Sequence, residues 1–146
     1  MPSVGELAPD FEAPTAAGRP LRLSSLRGSS VVLYFYPEAD TPGCTRESKG
    51  LRDLYPELKS KAVEVVGVSV DDVAKQSAFC EKYGLPFPLV ADATKKVATT
   101  YAVLRPSGRA RRATFLIGPD GKIVEVVDVP EADRHVERVR ARYLAA

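Results

Sequence analysis

Two runs of apolar residues constrain the fold of this chain more than any other feature. Residues 31–36 and 63–70 are each almost continuously apolar and rich in β-branched side chains, which is typical of strands buried on both faces. Between them, the segment from Cys44 to about Lys59 is polar but places large apolar side chains at helical spacing. Strand, helix and strand in this order predict a βαβ unit, whose two strands lie parallel in one sheet.

The rest of the chain predicts further elements of a layered protein. Asp71 or Asp72 precedes a helical pattern that ends at Tyr83, and Asp92 precedes a shorter one. Hairpins are predicted at residues 113–127, around Pro-Asp-Gly, and near the N-terminus around Gly18, and a last helix is predicted near the C-terminus. This order predicts an α/β protein with a thioredoxin-like layered fold, in which helices flank a central mixed sheet and an N-terminal hairpin forms an extension.

Composition limits the class of protein. A chain of 146 residues suits one core, so we expect a single domain over residues 1–146. The 21 basic and 19 acidic residues are too balanced to indicate a nucleic-acid partner. We interpret most of the largest basic cluster as a solvated loop; its members are Arg105, Arg109, Arg111 and Arg112. No apolar run approaches the roughly 18 residues of a membrane span, and no secretory signal is visible, so we expect no membrane partner and a cytoplasmic location.

Cysteine and histidine are scarce in this chain. Two cysteines do not make a disulfide-dense scaffold, and with one histidine they fall short of a four-ligand zinc site. The sequence also contains no flavin or haem motif, so we expect no metal and no cofactor.

The segment from Pro37 to Cys44 carries the clearest functional signal. It lies just beyond the carboxyl end of the first buried strand, where open α/β sheets place their ligands. Gly43 precedes a helix, and Cys44 falls in its first turn, where free N–H groups and the helix dipole favour a thiolate. Thr41 can direct its hydroxyl at the sulfur or at a bound oxygen. A cysteine packed as a small buried residue is the alternative, but this turn favours a reactive one.

These residues resemble the active site of the peroxiredoxins. The spacing of Pro37, Thr41 and Cys44 matches that family's signature, and Glu47 with residues 35–37 and 41–45 resembles its bacterioferritin comigratory protein, or PrxQ, branch. Further blocks resemble the same family in the same order, namely residues 5–11, 68–71, 83–87 and 112–117. Several matches in order are far more specific than one motif.

The resemblance implies a thiol-dependent peroxidase that reduces hydrogen peroxide and organic hydroperoxides. Cys44 would be the peroxidatic cysteine, whose thiolate attacks the peroxide and becomes a sulfenic acid. Arg112 would stabilise the thiolate and polarise the O–O bond. Glu47 would help to organise the site. The alternative that Glu47 is an exposed glutamate on the helix surface is almost as good an interpretation. The residues expected to catalyse the reaction or to contact the peroxide are Pro37, Thr41, Gly43, Cys44, Glu47 and Arg112.

Cys80 is the candidate for the second half-reaction. Many members of this branch carry a resolving cysteine five residues after the first, where this chain has Lys49. In other members it lies on a later helix, and Cys80 resembles that arrangement. The resemblance implies an intramolecular disulfide between Cys44 and Cys80, reduced by thioredoxin or a similar dithiol, in a monomeric protein. A packing role for Cys80, with a one-cysteine cycle, stays open.

Two other functions compete with this interpretation. A thioredoxin-like disulfide oxidoreductase would need Cys-x-x-Cys, but the residue three after Cys44 is Glu47. It would also be expected to have a proline immediately before residues 113–117, and none stands there. A noncatalytic binding module would not need the set of Pro37, Thr41, Cys44 and Arg112, which is intact.

Overall fold

A five-stranded mixed sheet forms the centre of the computed structural model, which describes residues 1–145. The strands are β1 (Glu12–Pro14), β2 (Pro20–Arg22), β3 (Ser30–Phe35), β4 (Val63–Ser69), β5 (Leu89–Ala91), β6 (Ala113–Ile117) and β7 (Ile123–Val127). The α-helices are α1 (Pro42–Ser60), α2 (Val73–Tyr83), α3 (Lys96–Thr100) and α4 (Ala132–Tyr143), and a 3-10 helix covers Leu23–Leu26.

The sheet has the order β5-β4-β3-β6-β7. Strand β3 pairs parallel with β4 and antiparallel with β6, while β4–β5 is parallel and β6–β7 antiparallel. The predicted βαβ unit is therefore confirmed as β3–α1–β4, and the sheet is mixed as predicted. Strands β1 and β2 form the separate N-terminal hairpin.

Both faces of β3 are buried, which explains its continuously apolar sequence. Leu33 and Phe35 face one core, which the N-terminal hairpin region and α3 help to cover. Val32 and Tyr34 face the other core, to which α1, α2 and α4 contribute side chains. The helices therefore flank the sheet as predicted, and the start of α1 lies at the end of the central strand.

The helix boundaries follow the local signals. Asp72, and not Asp71, caps α2, because its Oδ1 accepts a hydrogen bond from the N–H of Lys75 at 2.8 Å. Gly84 ends the helix in the left-handed conformation, with φ of 60°, which glycine adopts without steric cost. Asp92 accepts hydrogen bonds from two N–H groups in the first turn of α3. Among the described residues, no helix is both long and apolar enough to cross a membrane.

Candidate active site

Cys44 is the third residue of α1, directly beyond the carboxyl end of β3. Pro42 occupies the first helical position, and the N-cap is Thr41. Proline suits this position because its missing N–H would have no partner there. The Cys44 side chain is only 1% exposed and is a free thiol. The predicted placement of Cys44 in a first helical turn is therefore what the structure shows.

Arg112 joins the sulfur of Cys44 to a carboxylate. It precedes β6, and its Nη2 donates to Cys44 Sγ at 3.3 Å, while Nη1 donates to Glu47 Oε1 at 2.6 Å. Burial by itself would lower the pKa of Arg112, but the charges of Glu47 and Cys44 outweigh it and raise that pKa. The guanidinium therefore remains a cation, and its planar fork holds both acceptors at once.

Glu47 is completely buried, so the interpretation as a surface helix glutamate is wrong. It lies one helical turn after Cys44, on the side of α1 that faces the protein interior. Burial raises the pKa of Glu47 to about 8, although the positive charge of Arg112 acts in the opposite direction. Its Oε1 accepts from Arg112, whereas its Oε2 has no hydrogen-bond partner among the described residues.

The hydroxyl of Thr41 points away from the role expected of it. Its Oγ1 donates to the backbone carbonyl of Glu38 at 2.8 Å, and the structure shows no hydrogen bond from it to Cys44. The tight turn before α1 leaves that carbonyl close by, and the hydroxyl satisfies it. The same oxygen can still accept a hydrogen bond from an incoming hydroperoxide, because a hydroxyl has two lone pairs.

Gly43 and Pro37 both lie beside Arg112, the residue that contacts the thiol. A Cβ atom at Gly43 would lie 3.1 Å from Arg112 Nη2, so the absence of a side chain gives the guanidinium its place. Pro37 borders an open cleft of about 620 Å³ that Arg112 also lines. The cleft has a mixed lining, whose apolar members include Ala102, Leu104, Pro106, Val129 and Pro130.

An ion-pair network holds the loop before Cys44. The N–H of Ala39 donates to the buried carboxylate of Asp71 at 2.8 Å. Lys75 pairs with both Glu38 and Asp71, and Arg109 also approaches both carboxylates at 3.4 Å. Arg109 of the basic cluster therefore contributes to this network, although its side chain is still 42% exposed. These contacts tie the loop to the N-terminus of α2.

Cys80 is half-buried on α2. Its Sγ donates to the carbonyl of Leu85 at 3.1 Å, and burial raises the pKa of this thiol. Cys44 and Cys80 are both free, and they lie on different helices. Their side chains nevertheless belong to the same hydrophobic cluster, on the α1 face of the sheet. Among residues 1–145, no group of three or more His, Cys, Asp or Glu side chains is arranged to hold a metal ion.

Comparison with known proteins agrees with this geometry. Residues 4–126 match the model of the AhpC/TSA family. The chain belongs to this family. Peroxiredoxin Bcp of Escherichia coli is 38% identical over 138 residues, which cover 90% of this chain and 88% of the relative. The family match and the similarity to Bcp relatives together make the chain a peroxiredoxin of the Bcp/PrxQ type, and therefore a thiol-dependent peroxidase.

Solved structures extend the likeness of this AhpC/TSA protein to the whole fold. The crystal structure of peroxidoxin BcpB from Mycobacterium tuberculosis has a TM-score of 0.91 and 37% identity, and both chains are covered completely at 100%. Bacterioferritin comigratory protein of Xanthomonas campestris, solved in trapped intermediate and ligand complexes, has a TM-score of 0.84 and 30% identity, covering 90% of this chain and 88% of that one. The thioredoxin-like layered fold is thus confirmed.

Two of the similar solved structures concern the spacing of the two cysteines. Serine mutants of Xanthomonas campestris peroxiredoxin Q have been solved at two cysteine positions. Those positions are separated by the same number of residues as Cys44 and Cys80.

The structure of this AhpC/TSA protein also places near the site two residues that the sequence patterns did not assign to it. His135 lies against Glu47, with its Nδ1 3.6 Å from Glu47 Oε2, and Asp71 anchors the loop that leads to Cys44. A signal existed for each. His135 is the only histidine in the chain, and Asp71 directly follows the buried strand pattern of residues 63–70.

Proposed function

We propose that Cys44 is the peroxidatic cysteine of this peroxiredoxin and that Arg112 activates it. The observation that carries the proposal is the 3.3 Å contact between Arg112 Nη2 and a sulfur that is almost inaccessible to bulk water. A fixed cation beside a sulfur lowers the free energy of the thiolate relative to the thiol. Because the guanidinium is already in place, it does not have to move when negative charge shifts from the sulfur to the peroxide during the reaction.

The first half-reaction then follows from the positions of these groups. The Cys44 thiolate attacks the terminal peroxide oxygen, an S–O bond forms and the O–O bond breaks. The sulfur is oxidised to a sulfenic acid, and the leaving hydroxide or alkoxide takes a proton to become water or an alcohol. Arg112 can donate to the developing negative charge. Thr41 Oγ1 would accept a hydrogen bond from the hydroperoxide while its own hydrogen stays on the carbonyl of Glu38. Gly43, Glu47 and Pro37 would keep these groups in place.

The cleft at the site favours a broad substrate range. Its volume of about 620 Å³ exceeds what hydrogen peroxide needs, and it brings apolar surface next to Arg112. An alkyl group could lie along the side chains of Leu104 and Pro106, with the peroxide directed at Cys44. Hydrogen peroxide and organic hydroperoxides are therefore both proposed substrates.

The second half-reaction is assigned to Cys80. Its thiol would attack the sulfenic acid of Cys44, forming a disulfide and releasing water. Because the two cysteines lie on different helices, local unwinding of α1 or α2 is expected if their Cα atoms start more than about 7 Å apart. Two cysteine positions at the same separation in Xanthomonas campestris peroxiredoxin Q support this assignment.

The assignment of Cys80 also bears on the reductant of the protein and on its oligomeric state. The chain takes its electrons from a thiol reductant, and we assign that role to thioredoxin or a similar dithiol protein, since exchange with a disulfide needs an attacking thiolate. Because both reacting cysteines belong to one chain, a monomer of one domain, residues 1–146, suffices for the cycle. The cytoplasm, where such dithiol reductants are kept reduced, is the proposed location.

Single-cysteine variants test this function. Cys44→Ser should abolish peroxide-dependent oxidation of reduced thioredoxin, while Cys80→Ser should still react once with peroxide. Mass spectrometry should find a Cys44–Cys80 crosslinked peptide in the parent after one equivalent of peroxide. In Cys80→Ser it should find a sulfenic acid that reacts with a dimedone-type trap. Parent-like turnover of Cys44→Ser would refute the assignment of Cys44. Parent-like turnover of Cys80→Ser with thioredoxin would show a one-cysteine cycle.

A further inference from the structure

Asp71 contacts the loop that leads to Cys44 through a buried carboxylate. It lies between β4 and α2, and its side chain is only 3% exposed. Its Oδ2 accepts hydrogen bonds from the N–H of Ala39 at 2.8 Å and from Ser69 Oγ at 2.7 Å. Its Oδ1 faces two cations, Lys75 Nζ at 3.3 Å and an Nη1 atom of the arginine described above at 3.4 Å. Both carboxylate oxygens therefore have partners, as a buried charge requires.

The N–H of Ala39 and the carbonyl of Glu38 belong to one peptide group. The N–H donates to Asp71 Oδ2, while the carbonyl oxygen accepts a hydrogen bond from Thr41 Oγ1 at 2.8 Å. This peptide bond is trans and planar, so its N–H and its carbonyl point in opposite directions. Any rotation of the plane would disturb both hydrogen bonds at once. Asp71 and Thr41 are thus connected through a single rigid unit.

The hydrogen bond to Glu38 determines which way the Thr41 hydroxyl faces. A hydroxyl has one hydrogen and two lone pairs. Because its hydrogen is directed at the carbonyl oxygen of Glu38, Thr41 Oγ1 has only lone pairs left for other partners. A hydroperoxide has an O–H group that can donate to such a lone pair. The carboxylate of Asp71 strengthens this arrangement, because a peptide group whose N–H donates to a charge is a better acceptor at its carbonyl oxygen.

Ion pairs hold the same peptide group from the side chain of Glu38. Its carboxylate pairs with Lys75 and lies 3.4 Å from Arg109 Nη2. Both cations also face Asp71, but their side chains are 41% and 42% exposed, so solvent screens the attraction. The hydrogen bond from Ala39 is shielded from solvent by contrast, since this residue is 2% exposed. It is therefore the stronger restraint on the peptide group.

We propose that Asp71 is a positioning residue of the peroxidase, which holds the peptide group between Glu38 and Ala39 so that Thr41 Oγ1 presents a lone pair to the hydroperoxide. Without this carboxylate, the N–H of Ala39 is left unpaired in the interior, which is costly, and the peptide group rotates to find another partner. The hydroxyl of Thr41 then loses its fixed direction. The proposal rests on the proposed function of Cys44 and Thr41.

Two substitutions of Asp71 separate the acceptor from the charge. In Asp71→Asn the amide oxygen can occupy the position of Oδ2 and still accept from Ala39, although the negative charge is lost. In Asp71→Ala both the acceptor and the charge are lost. We expect Asp71→Ala to lower kcat/KM for peroxide by about tenfold or more, and Asp71→Asn to stay within about threefold of the parent. A loss in Asp71→Asn as large as that in Asp71→Ala would overturn the proposal, and so would parent-like kinetics of Asp71→Ala.

Asp10→Ala is the matched control for a general effect on the fold. Asp10 also holds a loop through a backbone hydrogen bond, since its Oδ1 accepts from the N–H of Ser24 at 2.9 Å. It lies near Ser29, before the start of β3, whereas Cys44 follows the end of that strand. Thermal unfolding should show a loss of stability in both alanine variants, but kcat/KM should fall only in Asp71→Ala. An equal fall in the control would overturn the proposal.

A double-mutant cycle with Thr41→Val tests whether Asp71 acts through the Thr41 hydroxyl. Valine keeps the shape of threonine and removes the hydroxyl. In this background Asp71→Ala should lower kcat/KM by less than about twofold, because the acceptor that Asp71 positions is already absent. A further loss as large as that in the parent would show that Asp71 acts on another group, and would overturn the proposal.

A second measurement uses the unmodified protein, so it does not depend on the folding of any variant. We expect the amide hydrogen of Ala39 to exchange slowly with solvent in the reduced protein, because it is buried and donates to a carboxylate. Exchange at the rate of an unstructured peptide would overturn the proposal. Parent-like turnover of Cys44→Ser would refute the proposed function but would leave this exchange rate interpretable, so the two failures can be told apart.

Discussion

The hydroxyl of Tyr83 donates to Oδ1 of Asp40 at 2.8 Å, which joins the helix that carries Cys80 to the loop that leads to Cys44. Asp40 also accepts from Lys82 Nζ at 2.9 Å, and it has a positive φ of 61°. These hydrogen bonds connect the last turn of α2 to the loop before α1. We expect the unwinding that brings the two cysteines together to open this contact.

Tyr83→Phe should therefore speed disulfide formation. The substitution removes the hydrogen bond to Asp40 and keeps the ring that packs edge-on against Phe79. We expect formation of the Cys44–Cys80 disulfide to become about twofold to fivefold faster, as for the loss of one exposed hydrogen bond. Rapid quenching followed by mass spectrometry measures this rate.

A matched control is Tyr55→Phe, which removes another tyrosine–carboxylate hydrogen bond, to Glu64 at 3.0 Å. This variant should form the disulfide at the parent rate. In both variants the initial reaction of Cys44 with peroxide should be unchanged. A disulfide rate in Tyr83→Phe equal to that of the control would mean that the contact with Asp40 does not limit unwinding.

Gly43→Ala should impair the reaction without unfolding the protein. Gly43 lies inside α1, where alanine is a favourable residue. Its new Cβ would meet Arg112 Nη2 at 3.1 Å and push the guanidinium away from the sulfur. We expect kcat/KM for peroxide to fall by about tenfold or more, because small misplacements at a reacting centre are costly. Thermal unfolding of the variant should match that of the parent within a few degrees, and unchanged kinetics would count against a fixed position of Arg112.

Arg112→Lys tests whether charge alone is sufficient. A lysine keeps the positive charge but cannot bridge Cys44 Sγ and Glu47 Oε1 with a planar fork. We expect a loss of about tenfold or more in kcat/KM, measured under steady-state conditions with excess reductant. Arg138→Lys is the matched control, since Arg138 also makes two hydrogen bonds to a glutamate, Glu125, outside the site. Equal activity of the two variants would show that the fork is dispensable.

Glu47 should make the protein less stable as the pH rises. Its pKa is raised to about 8 in the folded state, whereas it lies near 4.5 when the chain is unfolded. Between these values the folded state holds a proton that the unfolded state has lost, so the free energy of unfolding decreases with pH. Above about pH 8 this decrease ends, because both states are then ionised.

Glu47→Gln removes this titration, so the variant should gain stability relative to the parent by up to about 1.4 kcal/mol for each pH unit in that window. Urea unfolding at pH 5, 6.5 and 8 measures the difference. His135 contributes stability that is lost as the pH falls, because its pKa is lowered, and this contribution is present in both proteins. A constant difference between variant and parent would show that Glu47 is ionised throughout.

Local sequence determined the secondary-structure elements and the position of the Cys44 thiol. Continuous apolar runs predicted β3 and β4, because a strand covered on both faces has no solvent side. Asp72 and Gly84 marked the ends of α2, since capping and the left-handed conformation depend on one or two residues. Cys44 in a first helical turn followed in the same way, from the few residues around it.

Tertiary structure decided which side chains meet at that thiol. Arg112 is 68 residues from Cys44 in the chain, and only the placement of β6 beside β3 brings its guanidinium to the sulfur. Glu47 looks like a surface residue in the sequence, but α4 packs on α1 and buries it against His135. Thr41 turned to a nearby carbonyl. Such contacts depend on how whole elements pack, and packing sums many weak interactions between residues far apart in the chain.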